Sequence, residues 1–453
     1  MPSLPFSSVL IANRGAIARR VIRCLREYGV RSVAIYSEAD AGLPYLAEAD
    51  EAHCIGPGPA RESYLLGEQI LELAREHKVE AIHPGYGFLS ENTAFARAAQ
   101  AAGIVFIGPS PEAIEAMGEK TAARALMGAK GMPLARGSAI LPVDNDAVLA
   151  AAHAIGFPVL VKPAGGGGGI GMLAATDEKS LLAAVERARG LAGRSFANPD
   201  VYLEKLIETP RHIEFQVVGD KFGNVRHLFE RDCSLQRRHQ KVIEESRAPN
   251  IPVAELDAMA ETAVRAVAEI GYDNVGTVEM LRGADGSFSF LEMNTRLQVE
   301  HAVTEMLTGI DLVAAQIRAA GGERLSDILP ETITPVGHAI EARVYAEDPR
   351  NFFPSPGTLT HFRPPAASAS LRVDTGYAEG AVVSQHYDPM VAKVIAHGPT
   401  RQAAMERLAE GLAGFEVEGI KTNIPFLLKA LAHAEFRAGR VHTGLAGVIA
   451  KAV

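Results

Sequence analysis

Residues 288–301, Phe-Ser-Phe-Leu-Glu-Met-Asn-Thr-Arg-Leu-Gln-Val-Glu-His, set Glu292, Asn294, Arg296, Gln298 and Glu300 at every second position. In an extended segment, residues two apart share a face. One face would then carry two carboxylates, two amides and a guanidinium. Burying such a row without partners costs several kcal/mol per unpaired charge. A solvated edge strand would avoid that cost. A magnesium nucleotide beside a small anion would make use of the row, because hard magnesium takes carboxylate oxygens together with substrate phosphates.

Other segments supply the complementary chemistry. Glu279 falls on a second apparent strand, so that two acids from paired strands can bridge metal ions, with Asn294 adding a neutral oxygen. Neutralising triphosphate charge is much of the work of phosphoryl transfer. Five consecutive glycines, Gly165, Gly166, Gly167, Gly168 and Gly169, can reach backbone angles closed to other residues. Their N–H groups can converge on phosphate oxygens, and the run can act as a closing lid; a flexible linker is the plain alternative. Lys162 precedes the run and offers a cation. Residues 230–241 form a dense polar stretch after the apparent strand Val225-Arg-His-Leu-Phe229. If that strand continues, Gln236, Arg238 and Gln240 point one way, and Arg237, His239 and Lys241 form a cationic face on the other.

The elements that must position these groups are also legible. Val9-Leu-Ile-Ala12, a helical spacing from Ile17 to Tyr28, and Arg31-Ser-Val-Ala-Ile-Tyr36 make a β-α-β unit. Ala81-Ile-His83 and Ile104-Val-Phe-Ile107 extend it, so residues 1–115 read as an open parallel sheet with flanking helices. A dinucleotide-binding domain would need G-x-G-x-x-G after its first strand. Here the turn is Asn13-Arg-Gly-Ala-Ile-Ala18, with one glycine. Residues of about 133–205 read as a small lobe that includes the strand Phe157-Pro-Val-Leu-Val-Lys162. The helix near Val253–Ile270 sits among strands, and from about 336 the chain turns to short strands and Pro/Gly turns.

The chain has 453 residues, 47% hydrophobic and 22% charged, with net charge −9. No basic tract with interleaved aromatics points to nucleic acid. No apolar run reaches the ~20 residues of a membrane span, and the N-terminus lacks a signal-peptide n-region; a cytoplasmic location is expected. Cys24, Cys54 and Cys233 are odd in number and lack C-x-x-C spacing, which argues against disulfides or a cysteine zinc site. Cys233 reads as an inert thiol.

Together these segments resemble the biotin carboxylases, members of the ATP-grasp group. The resemblance runs through Ile11-Ala-Asn-Arg-Gly15, His83-Pro-Gly-Tyr-Gly-Phe-Leu-Ser-Glu-Asn92, Met117-Gly-Glu-Lys120, the glycine run, residues 230–241, residues 292–301, Glu341-Ala-Arg343, Ala346-Glu-Asp-Pro349, Phe353-Pro-Ser-Pro-Gly-Thr358 and Tyr387-Asp388. It implies an α/β protein with an N-terminal domain over 1–115. An ATP-grasp domain with the lid lobe would follow over 116–335, and a C-terminal α+β domain over 336–453. It implies ATP- and bicarbonate-dependent carboxylation of biotin through carboxyphosphate, with Mg2+ or Mn2+.

By this resemblance Lys120, Lys162, residues Gly165 to Gly169, Glu204, Lys205, Leu206, Ile207, His212, Gln236 and His239 would bind ATP. Gln236 and His239 can do so together only if the backbone bends between them. Glu279, Glu292 and Asn294 would hold metal, and Lys241, Arg296, Gln298 and the Val299 backbone would hold bicarbonate. Glu300 would be the general base, Arg343 would stabilise the biotin enolate, and Asp388 would lie at the biotin site. Three departures stand out: Ala16 in place of a usual Glu, Ile170 in place of a basic residue, and Val382-Val-Ser-Gln-His386 without the usual prolines.

The resemblance also implies a homodimer, a separate biotin carboxyl carrier protein and a carboxyltransferase subunit, as in acetyl-CoA carboxylase of fatty acid biosynthesis. No Met-Lys-Met biotinylation context occurs in the chain. Another acyl-phosphate-forming ATP-grasp ligase is disfavoured by the 292–300 series and by the setting of Arg343. A non-catalytic nucleotide-binding subunit is disfavoured by the full set of base and metal ligands.

Overall fold

The computed structural model describes residues 4–165, 171–196 and 198–451. Of the glycine run, Gly165 is described; Gly166, Gly167, Gly168 and Gly169, with Ile170, lie outside the described residues.

Strands β1 (Ser8–Ile11), β2 (Arg31–Tyr36), β3 (Glu51–Cys54), β4 (Ala81–His83) and β5 (Val105–Phe106) form a sheet of order β3-β2-β1-β4-β5. Every pairing is parallel. All four residues of β1 are buried, as a strand covered on both faces requires, which is why it reads as a continuous apolar run. After β1, Asn13 donates to the carbonyls of Pro84 (2.7 Å) and Tyr86 (2.8 Å), and Arg14 pairs with Asp40 at 2.5 Å. The turn is thus held by side chains and offers no glycine cradle for a dinucleotide. A Cβ on Gly376 would come within 2.4 Å of the Gly15 backbone, so the C-terminal part of the chain packs directly on this turn.

The small lobe consists of β6 (Val159–Pro163), β7 (Leu173–Ala175) and β8 (Val201–Lys205) in the order β7-β6-β8, with helices Asn145–Ile155 and Glu178–Phe196. It has its own core, which includes Val148, Val161, Leu181 and Leu203.

A large antiparallel sheet carries most of the polar residues singled out above. Its strands are β9 (Arg211–Gly219), β10 (Val225–Arg237), β11 (Gln240–Ser246), β12 (Asn274–Arg282), β13 (Phe288–Asn294) and β14 (His338–Tyr345). The order is β13-β12-β9-β10-β11-β14, continued by strands Met390–Gly398 and Leu371–Asp374. Helix Val253–Glu269 packs Leu256, Ala263 and Val267 into one core with Phe215, Val278 and Phe290. The sheet's other face is free to carry polar groups.

Two irregularities correct the period-two reading. First, Arg238 and His239 alone join β10 to β11, with φ of 51° and 65°. Left-handed geometry at both positions suits the twist of a two-residue hairpin. Gln236 therefore lies opposite Lys241, and Arg237 opposite Gln240. Arg237 does not share a cationic face with Lys241. It turns to Glu347 at 2.5 Å and packs over the Phe352 ring.

Second, the register moves from Glu279↔Glu292 to Met280↔Phe290, so Leu291 is an extra residue in β13. Phe288 and Phe290 face the core, Glu292 and Asn294 reach the other side despite equal parity, and Met293 rejoins the core. The strand ends at Asn294, so Arg296, Gln298 and Glu300 lie on the loop into helix His301–Thr308 rather than on one extended row.

Candidate active site

Between the small lobe and the large sheet lies a cleft of about 800 Å³. Registers across three neighbouring strands place Glu214 (β9), Glu279 (β12) and Glu292 (β13) in one row. The Lys241 ammonium, at the start of β11, ties part of this row to the loop. It contacts Glu214, lies 2.9 Å from Glu279 and lies 2.8 Å from Glu300. One cation thus serves three carboxylates that are almost wholly buried. Removing such a partner from a buried network strongly destabilises the charges left behind.

Glu300 is also held from the other side. Arg343, on β14, bridges Glu244 at 2.5 Å and Glu300 at 2.9 Å. Burial would raise the Glu300 carboxyl, but Lys241, Arg343 and Arg231 outweigh it and hold it well below the usual range. Glu300 is therefore ionised and able to accept a proton. Glu279 is likewise held low, chiefly by Lys241 and His212 against burial. Glu244 goes the other way: burial pushes it up to about 8 despite Arg343.

On the lobe side, Lys162 is buried and pairs with Glu204 at 3.0 Å, and Arg124 takes the other carboxylate oxygen at 3.0 Å. Lys205 is anchored to the carbonyls of Gly156 and Phe157, so its backbone and the adjoining Leu206 and Ile207 line the cleft at the join with β6. His212 lies 2.6 Å from Gln236 and 3.0 Å from Glu279, and His239 enters from the hairpin turn. Lys120 meets Glu292 at 2.9 Å. The described nucleotide-side candidates converge, apart from Gly165, which is not among the lining residues.

On the loop, Arg296 pairs with Glu91 at 2.8 Å, and Glu91 also accepts from the Thr295 backbone N–H at 3.0 Å. Gln298 and Val299 line the same cleft, as do Arg343 and Asp388. Burial raises the Asp388 carboxyl despite nearby Arg343 and Arg14.

Three family profiles match the chain in sequence order. They are the biotin carboxylase N-terminal domain over residues 5–114, the carbamoyl-phosphate synthase L chain ATP-binding domain over 119–328, and the biotin carboxylase C-terminal domain over 341–446. A biotin carboxylase of Halalkalibacterium halodurans is 49% identical over 97% of this chain and 96% of its own length. The chain belongs to the biotin carboxylase family. The rat mitochondrial methylcrotonoyl-CoA carboxylase subunit alpha is 47% identical over 98% of the chain, but the chain spans only 62% of that protein. Among solved structures, the biotin carboxylase domain dimer of Hydrogenobacter thermophilus 2-oxoglutarate carboxylase, in complex with MgADP, ADP and bicarbonate, is 41% identical. It superposes with a TM-score of 0.94 over all of both chains. A Campylobacter jejuni biotin carboxylase in complex with a β,γ-ATP compound also gives 0.94, at 41% identity over 98% of this chain and 99% of that one.

Within this biotin carboxylase fold, Glu279, Glu292 and Asn294 fit a hard divalent cation. Two carboxylates face each other across paired strands; the Asn294 amide nitrogen donates to Glu279 at 2.7 Å and its oxygen accepts from Arg296 at 2.9 Å, so the amide would turn over to offer oxygen to an ion. Oxygen donors of this kind, completed by phosphate oxygens, are what magnesium takes.

Several residues of the site escaped the sequence reading. Glu214 sits at the centre of the network, and the alternation His212-Ile-Glu-Phe-Gln216 was a signal that could have found it. Arg231, wholly buried, pairs with Glu214 at 3.1 Å and donates to Gln216 and Thr304. Lys393, also buried, donates to the Val299 carbonyl at 2.5 Å and so fixes the peptide just before Glu300. Glu91 and Glu244 are the acids behind Arg296 and Arg343. No spacing links Glu91, Glu244 or Lys393 to its partner; the fold alone brings them together. Cys233 is buried, and burial pushes its thiol well up, as an inert thiol requires. Among the described residues no helix is long and apolar enough to cross a membrane.

Proposed function

We propose that this chain carboxylates biotin at the expense of ATP and bicarbonate, through carboxyphosphate. The observation that carries the reading is the unbroken chain Glu279–Lys241–Glu300–Arg343, of which Glu279, Lys241 and Arg343 line one cleft with Arg296 while Glu300 is buried between the two cations. It provides an ionised base between two cations, as deprotonation of a small anion requires.

In this reading the nucleotide lies between the lobe and the sheet. Lys120, Lys162, His212, Gln236 and His239 contact it, and Glu204 to Ile207 flank the adenine. Glu279, Glu292 and Asn294 hold Mg2+ or Mn2+, which neutralises phosphate charge. Lys241, Arg296, Gln298 and the Val299 N–H hold bicarbonate. An anion bound there competes with Glu300 for Lys241, and this raises the basicity of Glu300 when it is needed. Glu300 takes the bicarbonate proton, and the oxygen then attacks the γ-phosphate from a fixed position, breaking its bond to the bridging oxygen so that ADP leaves. Carboxyphosphate is labile in water, so a closed cleft protects it. Carboxyphosphate then splits into carbon dioxide and phosphate, the phosphate takes the biotin ureido proton, Arg343 stabilises the resulting enolate beside Asp388, and the deprotonated nitrogen bonds to the carbon dioxide.

The names of the relatives carry different acceptors, among them methylcrotonoyl-CoA, pyruvate and 2-oxoglutarate. The shared chemistry is therefore the biotin half-reaction, and acetyl-CoA is one acceptor within its reach. A biotin carrier, a carboxyltransferase, a homodimeric assembly and a cytoplasmic setting belong to the same proposal, as do the domain limits at about 115 and 335.

The test is bicarbonate-dependent ATP cleavage by the purified chain, with labelled bicarbonate traced into carboxybiotin. Label transfer that requires ATP, magnesium and biotin is expected. ATP cleavage that never yields labelled biotin would overturn the reading in favour of another ATP-grasp ligase.

A further inference from the structure

We propose that Glu51, His53 and His77 form a binding site for one divalent transition-metal ion of the zinc class. None of the three lines the catalytic cleft. Glu51 and His53 lie two apart on β3, the edge strand of the parallel sheet, and so share a face. His77 follows the helix Gly67–Glu76. The candidate ligand atoms of the three residues lie within 4.8 Å of one another.

The geometry is that of a converging set. His77 Nδ1 lies 2.7 Å, and His53 Nε2 3.4 Å, from the same Glu51 oxygen, Oε2. The imidazole centroids are 3.9 Å apart. Ligands about 2.0–2.1 Å from a tetrahedral zinc ion stand roughly 3.3 Å from each other. The observed separations bracket that value, so only small side-chain rotations are needed.

The surroundings fix the set. The second Glu51 oxygen, Oε1, accepts from Arg31 Nη1 at 2.5 Å, and Arg31 Nη2 donates to the His77 backbone carbonyl at 2.7 Å. One guanidinium therefore orients the carboxylate and anchors the residue that bears an imidazole, the kind of outer support metal ligands use. All three side chains remain 28–32% exposed. An ion can enter, and water can complete its coordination. Two imidazoles with one carboxylate suit zinc; magnesium, which prefers oxygen donors, suits the cleft instead. A bound ion would clamp the edge strand to the end of a helix 23 positions and more along the chain.

The experiment uses the full chain, freed of metal by chelation. Zinc uptake is titrated against a chromogenic chelator, and cobalt(II) absorption reports tetrahedral coordination. The cleft holds a second His/Glu grouping, His212 with Glu214 and Glu279, so the comparison is between the wild-type chain and His53→Ala/His77→Ala. The double variant should bind about one equivalent less zinc. Zinc should raise the melting temperature of the wild type by more than that of the variant. Bicarbonate-dependent ATP cleavage in zinc-free buffer should be equal in the two. If the double variant does not fold, His77→Gln, which keeps a hydrogen bond to Glu51, should weaken zinc at least about tenfold. Equal zinc stoichiometry and affinity in wild type and variants would overturn the site.

Discussion

Arg343 Nη2 lies 2.9 Å from Glu300 Oε2, so the proposed enolate-binding group and the proposed base are joined before any substrate enters. The same guanidinium holds the buried Glu244. Arg343→Ala should therefore lose biotin carboxylation by about 10²–10³ while keeping nucleotide binding. It should also melt earlier, because the buried Glu244 and Glu300 lose the hydrogen bonds that Arg343 donates. Label transfer, nucleotide titration and calorimetry on one preparation check all three outcomes.

Glu300→Gln keeps the shape and the hydrogen bonds but removes the proton acceptor. Bicarbonate-dependent ATP cleavage should fall by roughly 10²–10⁴, with nucleotide affinity little changed. Steady-state kinetics with bicarbonate varied read this directly. Wild-type turnover in the variant would remove Glu300 from the reaction.

Lys241→Met withdraws the one ammonium shared by Glu214, Glu279 and Glu300. A loss of stability of about 3–5 kcal/mol is expected, as for other broken buried charge networks. Glu279 and Glu300 should then titrate at higher pH, because the cation that offsets their burial is gone. Stability against pH measures both effects, and carboxylates that still titrate as in the wild type would contradict the shared-cation account.

Glu91 reaches Arg296 across a large sequence distance and also accepts from the Thr295 N–H. The pair is partly exposed, so its effect should be modest. Glu91→Gln should raise the KM for bicarbonate about two- to fivefold and leave that for ATP unchanged. A change confined to ATP would place Glu91 elsewhere in the mechanism.

Acid stability follows from Glu245. Burial would raise its carboxyl, but His338 at 2.8 Å and Arg401 at 2.6 Å draw it down to about 2. A carboxyl lowered on folding contributes stability above its unfolded value. That contribution is lost as pH falls from about 4.5 toward 2. Arg401→Gln should be less stable at neutral pH and should lose less on acidification through that window. Parallel denaturation curves at several pH values check the slope.

The sequence made the parallel sheet legible because its first strand is apolar from Val9 onward and its first turn has too few glycines for a dinucleotide. It also singled out Lys241, Glu279 and Glu300, which the fold brings into contact. It misjudged how they meet. A period-two count carries through β10 and β13, but the chain reverses at Arg238–His239 and slips by one residue at Leu291. Neither feature has a strong local signal: the turn contains no glycine or asparagine, and a bulge leaves composition unchanged. Glu91, Glu244 and Lys393 were illegible for a different reason. Each supports a partner far along the chain, and only the tertiary fold fixes which one.

The strand that carries the extra residue Leu291 also divides its labour. On one side Phe288 and Met293 answer to the helix they pack against; on the other Glu292 and Asn294 answer to the cleft. Substitutions on the two sides touch different neighbours, so folding and chemistry can drift independently along the same seven residues. Removing Leu291 would leave an uninterrupted alternation with the acids still toward the cleft and the rings still in the core, so what the extra residue sets is the local bend and twist that aim the acids.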